Sequence, residues 1–253
     1  MSGRVAIITG GAGGLGQLIT YSLVAFGASV VITSRNLENF KEVEKVVRET
    51  GAEALAISTD VTKEEEVDRM VAQTVDRFGK IDILVNNSGI QHRISAVDMS
   101  SEIWHKVIET NVEGAFLCSQ RVGRVMIARR RGKIINLSSI RGRFGRQKDF
   151  VAYCTSKGGI DSLTRALACE WGPYNIQVNA IAPSLIEVPR KDATIGNPFA
   201  DPDYTKGLLE RIPLHRWGQP DDLVGSIVFL ASGASNFVSG HILYVDGGYA
   251  VSA

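Results

Sequence analysis

Short apolar runs alternate with longer segments in which apolar side chains recur every three or four residues, a pattern typical of buried strands followed by helices. The predicted strands are Arg4–Thr9, Val30–Asn36, Ala54–Ser58, Ile83–Asn86, Lys133–Leu137, Gln177–Ile181 and Ile242–Val245. The predicted helices are Leu18–Phe26, Leu37–Thr50, Lys63–Phe78, Glu102–Arg129, Ala152–Trp171 and Asp221–Leu230. This alternation predicts a single α/β domain over residues 1–253, with a doubly wound parallel sheet of about seven strands and helices on both faces.

One stretch breaks this periodicity. Residues from Ser184 to about Pro202 include Pro189, Gly196 and Pro198 and show neither helical nor strand spacing. Ligands of such sheets bind beyond the carboxyl ends of the strands. We therefore expect residues 184–215 to contain a substrate lid.

Composition excludes several classes of function. The 253 residues carry a formal net charge of +1, which gives no electrostatic reason to expect a nucleic-acid or membrane partner. No apolar run is long enough to span a bilayer, and the first strand follows the N-terminus without a signal-peptide pattern, so we expect a cytoplasmic protein. Cys118, Cys154 and Cys169 lack metal-ligand spacing, so we expect small buried side chains and neither a disulfide framework nor a metal site.

A glycine-rich turn joins the first strand to the first helix. The turn reads Gly10-Gly11-Ala12-Gly13-Gly14-Leu15-Gly16. Glycines allow a tight turn and close approach of a pyrophosphate, and the N-terminus of the following helix favours its negative charge. The alternative is a turn in which glycines serve only to end the strand.

The end of the second strand bears on the choice of cofactor. It lies about twenty residues beyond the glycine turn, where dinucleotide folds meet the adenosine ribose and often place an acidic residue. This chain has Ser34 followed by Arg35, and an arginine suits a 2′-phosphate. We therefore predict NADP(H) in preference to NAD(H); the alternative is a solvated arginine.

Tyr153 and Lys157 are spaced to share one face of a predicted helix. A neighbouring positive charge stabilises the phenolate and lowers the pKa of a tyrosine, which then can exchange a proton with a hydroxyl group near neutral pH. A tyrosine and a lysine at this spacing are also common on helix surfaces, where they do no chemistry. The rest of the chain decides between these interpretations.

Several motifs together resemble the short-chain dehydrogenase/reductase family over essentially the whole chain. They are Thr9-Gly10-x-x-x-Gly14-x-Gly16, Asp60-Val61, Asn86-Asn87-Ser88-Gly89, Asn111, Ser139, Tyr153-x-x-x-Lys157 and Asn179-Ala180-Ile181-Ala182-Pro183. The resemblance implies a Rossmann fold, a nicotinamide cofactor and a homotetramer. Ser88 and Ser184 depart from the family, which usually has alanine and glycine there.

The resemblance also implies catalytic roles. Ser139 would hold the substrate oxygen, Tyr153 would exchange the proton, Lys157 would lower the tyrosine pKa, and Asn111 would support a proton relay. Ser138 is the rival of Ser139, and the family alignment favours Ser139. The alternatives are that Ser139 is a strand-end cap and Asn111 a buried structural amide.

By the same resemblance, the predicted cofactor contacts are Gly10, Gly14, Leu15, Gly16, Ser34, Arg35, Asp60, Val61, Asn87, Gly89, Tyr153, Lys157, Pro183 and Ile186. Asn86 is instead expected to hold the sheet at a strand end.

Substrate identity rests on weaker signals. Parts of the chain look like the branch of the family that contains gluconate 5-dehydrogenases, which implies a sugar acid or another small anionic substrate. Cationic residues expected near the strand ends would attract such an anion: His92, Arg93, Arg141, Arg143, Arg146 and Lys148. The predicted substrate residues are His92, Arg93, Ser139, Arg141, Arg146 and Tyr153. The alternatives are a 3-oxoacyl-carrier-protein reductase and a cofactor-binding sensor without turnover.

Overall fold

Every apolar run assigned to a strand is a strand in the structure, a computed structural model that describes residues 1–36, 40–146, 149–187 and 202–252. The strands are β1 (Val5–Thr9), β2 (Ser29–Ser34), β3 (Ala54–Ser58), β4 (Ile83–Asn86), β5 (Gly132–Leu137), β6 (Ile176–Pro183) and β7 (Ile242–Val245). They form one sheet in the order β3-β2-β1-β4-β5-β6-β7, with every neighbouring pair parallel. The predicted doubly wound sheet is confirmed.

Helices cover both faces of the sheet. They are α1 (Gly14–Ala25), α2 (Phe40–Glu49), α3 (Glu64–Phe78), α4 (Ser101–Ile108), α5 (Gly114–Arg129), α6 (Val151–Trp171), α7 (Pro202–Leu209) and α8 (Asp221–Ala231). Successive residues of a strand point to opposite faces. Ile8 accordingly belongs to the apolar cluster with α1 and α8, whereas Ile7 belongs to the cluster with α3, α5 and α6.

The predicted helix over Glu102–Arg129 is interrupted. Between α4 and α5, Glu109–Glu113 form a π-helical segment with a wider turn. No proline or glycine stands within residues 102–113 to mark this break, so the sequence pattern does not reveal it. The segment contains Asn111, one of the predicted site residues.

The region of the predicted lid is partly helical. Helix α7 was not anticipated from the sequence, and residues 188–201 lie outside the described residues. The described base of the segment is tied to the sheet end: Ile186 pairs with Gly218, and the N–H of Glu187 donates to the Gly218 carbonyl oxygen at 2.8 Å.

The strand order creates a crevice at the carboxyl ends of the strands, between β1 and β4; this side of the sheet is called the carboxyl edge below. Connections from β1 and β4 leave in opposite directions, and ligands bind at such a switch point beyond the carboxyl ends of the strands. Asn86 holds this edge together, as predicted: its side-chain amide donates to Asn136 on β5 at 2.8 Å and to Ser119 on α5 at 2.9 Å.

The three cysteines differ in burial, although all were expected to be buried. Cys118 is buried and Cys154 is half-buried, but Cys169 is exposed, so the prediction that all three are buried is wrong. Cys169 lies on a helix whose inward face is occupied by its neighbours Leu167, Ala168 and Trp171. Among the described residues, no helix is both long and apolar enough to cross a lipid bilayer.

Candidate active site

The glycine turn between β1 and α1 requires its glycines sterically. Gly10 has a φ of +64°, and a Cβ atom added to Gly16 would lie 2.0 Å from the Gly10 carbonyl oxygen. Helix α1 begins at Gly14 with no side-chain cap and no acidic residue in its first turn. Its first N–H groups and positive dipole end are therefore available to an anion, which fits the pyrophosphate of a dinucleotide.

Thr9 and Asn87 hold this turn against the end of β4. The Asn87 side-chain amide donates to the carbonyl oxygens of Thr9 at 2.9 Å and Gly10 at 3.2 Å. The Thr9 hydroxyl accepts from the N–H groups of Asn87 and Ser88, both at 3.0 Å. The amide of Asn87, predicted to contact the cofactor, therefore shapes the turn. In the sequence Thr9 appears only as one member of a motif. Its role in holding the turn depends on the pairing of β1 with β4, which brings it next to Asn87 and Ser88.

The ends of β2 and β3 bring Ser34, Arg35 and Asp60 together. Burial raises the pKa of Asp60, but hydrogen bonds from Thr62 and the positive charge of Arg35 lower it, and the net shift is downward. Arg35 is exposed and lies close enough to Asp60 to act on it. Val61 is buried against Gly114, where an added Cβ would lie 2.6 Å from the valine Cγ2.

Lys157 is buried beside Tyr153 on α6. Its Nζ lies 5.5 Å from the centre of the Tyr153 ring and donates to the Leu137 carbonyl oxygen at the end of β5. Burial lowers the pKa of Lys157 to about 8, although the nearby Asp161 carboxylate raises it. The structure thus places a buried cation beside the phenol ring, as the spacing of the two residues predicts.

Asn111 links the loop after β4 to helix α6. Its Oδ1 accepts from the N–H of Ile90 at 2.8 Å, and its Nδ2 donates to the Ile90 carbonyl oxygen at 2.9 Å and to the Ser156 hydroxyl at 3.0 Å. A Cβ added to Gly89 would lie 3.3 Å from Asn111 Oδ1 and 3.9 Å from Lys157 Nζ. Gly89, Asn111 and Lys157 therefore meet at one place.

The two candidate serines have different surroundings. Ser138 is buried, and its hydroxyl donates to the Asp161 carboxylate. Ser139 is half-buried, and its Oγ accepts from the Arg141 N–H at 3.2 Å at the start of a short 3₁₀ turn. Ser138 thus points into the protein, while Ser139 lies at the surface of the crevice end of β5. Asp161, which the sequence analysis missed, has a pKa raised by burial.

Arginines gather next to Tyr153. The guanidinium groups of Arg93 and Arg146 lie 5.3 Å and 4.3 Å from the centre of the Phe150 ring, which packs edge to face on the Tyr153 ring at 6.3 Å. Burial, and after it the positive charges of Arg141 and Arg93, together lower the pKa of Arg146 to about 10. Arg93, Arg141 and Arg146 are named the arginine cluster below.

The remaining predicted cations are not stacked on Phe150 among the described residues. Arg143 stacks on Phe144 at 5.2 Å and Tyr244 at 5.9 Å. His92 is half-buried in the loop after β4. Lys148 lies outside the described residues. Phe150, on which Arg93 and Arg146 stack, was not anticipated because it is one of nine phenylalanines and no motif marks it.

Another cavity lies beyond the carboxyl end of β6. Beyond Pro183, the Ser184 hydroxyl is buried without a hydrogen-bond partner among the described residues. Ser184 lines a cavity of about 150 Å³ together with Ile212, Leu214 and Val245. The side chain of Ile186 is buried against Gly218, so a cofactor contact at this residue would come from its backbone.

Metal ligation has no candidate in the described parts of the chain, where no group of three or more His, Cys, Asp or Glu side chains is arranged to hold an ion.

Comparison with known proteins identifies the family. A family model described as "Enoyl-(Acyl carrier protein) reductase" matches residues 10–250. Gluconate 5-dehydrogenase of Gluconobacter oxydans is 37% identical over 252 residues, covering 100% of this chain and 96% of the relative. NAD-dependent glycerol dehydrogenase of Listeria innocua is 38% identical over 250 residues, covering 98% and 94%. The crystal structure of a gluconate 5-dehydrogenase from Burkholderia cenocepacia, in complex with NADP and tartrate, is 37% identical with a TM-score of 0.93, covering 100% of this chain and 97% of that one.

The chain belongs to the short-chain dehydrogenase/reductase family, a family of oxidoreductases that use a nicotinamide cofactor.

Proposed function

We propose that this protein is an NADP-dependent oxidoreductase that transfers a hydride between the nicotinamide and a hydroxyl or carbonyl group of a small anionic substrate such as a sugar acid. The arginine cluster beside Tyr153 carries the proposal. Arg93 and Arg146 both lie against Phe150, the aromatic neighbour of the proposed proton donor. An arginine fork binds both oxygens of a carboxylate. Similarity to two gluconate 5-dehydrogenases supports this substrate class.

The proposed mechanism assigns one role to each residue of the site. Ser139 holds the substrate oxygen, and the Tyr153 hydroxyl takes up or donates the proton on that oxygen. Lys157 stabilises the phenolate by its charge, and Asn111 fixes the loop that carries Gly89 against Lys157. When bound, the nicotinamide cofactor accepts or supplies the hydride. The inward hydrogen bond of Ser138 to Asp161 supports Ser139 as the substrate serine.

The proposed preference for NADP rests on Arg35. Its guanidinium is exposed beside Asp60 at the end of β2, free of any ion pair among the described residues, and would pair with a 2′-phosphate. Replacing Arg35 by glutamine should raise the KM for NADP by about 10-fold or more, because a charge-assisted hydrogen bond is lost. The KM for NAD is the internal control and should change little. A wild-type enzyme that prefers NAD would overturn the assignment.

The wider organisation is also proposed. Residues 1–253 form one domain with a substrate lid at about 184–215, and Ser184 and the Ile212–Gly218 segment form the base of that lid. A cytoplasmic homotetramer is what the family resemblance leads us to expect. Sedimentation analysis of the purified protein tests the assembly.

The direct test of the reaction is turnover of NADP(H) on a panel of substrates. The panel contains sugar acids, keto-sugar acids, a 3-oxoacyl thioester and neutral polyols, with Tyr153→Phe as the blank. We expect tyrosine-dependent turnover that is fastest on an anionic sugar or keto-sugar acid. Turnover confined to the thioester would instead indicate a carrier-protein reductase, and cofactor binding without turnover on any substrate would favour a sensor.

A further inference from the structure

A second cavity lies at the opposite edge of the sheet from the active site. It has a volume of about 260 Å³ and opens at the amino ends of β1, β4, β5 and β6. Arg4, Arg131 and Lys133 line it together with Asp82, Asn175 and Gln177. This amino-edge cavity has no part in the mechanism proposed above.

Lys133 is an unusual residue for such a position. Its side chain is only 5% exposed, and its ammonium donates to the Ser235 hydroxyl at 3.0 Å. An ammonium has three N–H donors. Among the described residues, no carboxylate lies within ion-pair distance of Lys133, and a buried cation without a counter-charge is unfavourable.

Neighbouring positive charges further disfavour the protonated form of Lys133. Burial, and after it the positive charges of Arg4 and Arg131, together lower the pKa of Lys133 to about 8. The positive charge of Arg131 also lowers the pKa of Arg4. The cavity thus concentrates three positive charges that repel one another.

The single carboxylate lining the cavity among the described residues is already occupied. Asp82 pairs with Lys80 and with Arg129, each at 3.3 Å. It also accepts a hydrogen bond from the Val5 N–H at 3.0 Å. Its negative charge also raises the pKa of Arg4, but among the described residues Asp82 forms no ion pair with Arg4, Arg131 or Lys133.

We propose that the amino-edge cavity binds a small multivalent oxyanion of the phosphate or polycarboxylate type. Such an anion would supply the missing charge to Arg4, Arg131 and Lys133 through charge-assisted hydrogen bonds. The amides of Asn175 and Gln177, which are hydrogen-bonded to each other at 3.2 Å, provide neutral polar groups on the same wall. The volume equals that of several water molecules at about 30 Å³ each, enough for one anion of this size.

The test is thermal unfolding of the full chain with saturating cofactor, so that the dinucleotide site is filled before any anion is added. Inorganic pyrophosphate and citrate are titrated in separate arms at constant ionic strength set with potassium chloride. A ligand that binds the folded state raises Tm with its concentration. We expect at least one arm to raise Tm, and the arm that does so identifies phosphate or polycarboxylate chemistry.

Two variants locate the effect. Arg131 is exposed, so Arg131→Gln should fold normally and weaken the apparent affinity at least 5-fold. Arg124 is exposed on α5 and does not line the cavity, so Arg124→Gln is the matched control and should keep the wild-type response. The proposal is overturned if neither anion raises Tm beyond chloride, or if the response is the same in Arg131→Gln as in the wild type.

Discussion

At the scale of single residues, the site depends on groups whose surroundings alter their ordinary chemistry. Lys157 is surrounded by protein and held by the Leu137 carbonyl oxygen. Burial lowers its pKa to about 8, so near neutral pH it is still largely protonated. Burial also excludes water that would otherwise screen its charge from the Tyr153 ring, whose centre lies 5.5 Å from Nζ.

Replacing the two neighbouring serines separates chemistry from stability. We predict that Ser139→Ala lowers kcat by about 10²- to 10³-fold, because a hydrogen bond to the reacting oxygen is lost. Ser138→Ala should instead lower the free energy of unfolding by about 1–3 kcal/mol, because Asp161 loses a buried donor. Steady-state kinetics and urea unfolding measure the two effects. A far larger loss of turnover in Ser138→Ala would show that the wrong serine was chosen.

A functional residue can be predicted from the sequence when its position depends on neighbours that are close in the chain. Gly10, Gly16, Tyr153 and Lys157 were anticipated because spacing within one turn or helix places them. Thr9, Phe150 and Asp161 were not, because their importance comes from partners that are distant in sequence. Asp161, for example, accepts a hydrogen bond from Ser138, which follows β5 and is 23 residues away in the sequence.

At the scale of elements, the turn between β1 and α1 is the most constrained part of the cofactor site. Gly16 packs directly on the Gly10 carbonyl group, whereas an added Cβ at Gly13 would meet nothing within 4 Å. Gly13 has an extended backbone with φ of −159°, which any residue can adopt.

These two glycines form a matched pair of substitutions. Gly16→Ala should abolish measurable cofactor binding, because its Cβ would displace the turn that presents the helix N-terminus. Gly13→Ala should bind cofactor within a few-fold of the wild type. Fluorescence titration with NADPH measures both. Equal binding by the two variants would mean that the turn does not form the cofactor site.

Strands were easier to predict than breaks within helices. The central strands β1, β4 and β5 are buried on both faces and therefore appear as short apolar runs, and the half-buried edge strands β3 and β7 are also rich in apolar residues. The π-helical segment Glu109–Glu113 has no such signature, because it is stabilised by side-chain bonds of Asn111 to Ile90 and Ser156. Helix α7 was missed for another reason: proline and glycine just before it mark an irregular segment, and its own eight residues are too few for clear periodicity.

At the scale of the whole molecule, opposite edges of the sheet both carry clusters of positive charge although the net charge is only +1. The arginine cluster lies at the carboxyl edge, and Arg4, Arg131 and Lys133 lie at the amino edge. Such concentrations are invisible in the overall composition, since acidic side chains elsewhere balance them.

Stability should depend on pH through Lys133. Its pKa is about 8 in the folded protein and 10.5 ordinarily. Below pH 8 the folded state bears the full penalty of the buried charge, and the penalty disappears as the pH rises towards 10.5. In buffers without multivalent anions, the wild type should therefore gain on the order of 1 kcal/mol in unfolding free energy relative to Lys133→Met between pH 7 and pH 9.5. A difference between the two proteins that stays constant in urea unfolding across this range would contradict the prediction.

The central claim is that this chain oxidises or reduces a small anionic substrate with NADP(H), and one comparison of matched substrates tests it. Gluconate and glucitol share six carbons and differ at one end, where gluconate has a carboxylate and glucitol a hydroxymethyl group. We predict that kcat/KM with NADP is at least about 10-fold higher for gluconate, and that Arg93→Gln removes most of this preference, since a charged hydrogen bond contributes about 1.5–3 kcal/mol. Equal or faster turnover of glucitol by the wild-type enzyme would contradict the account.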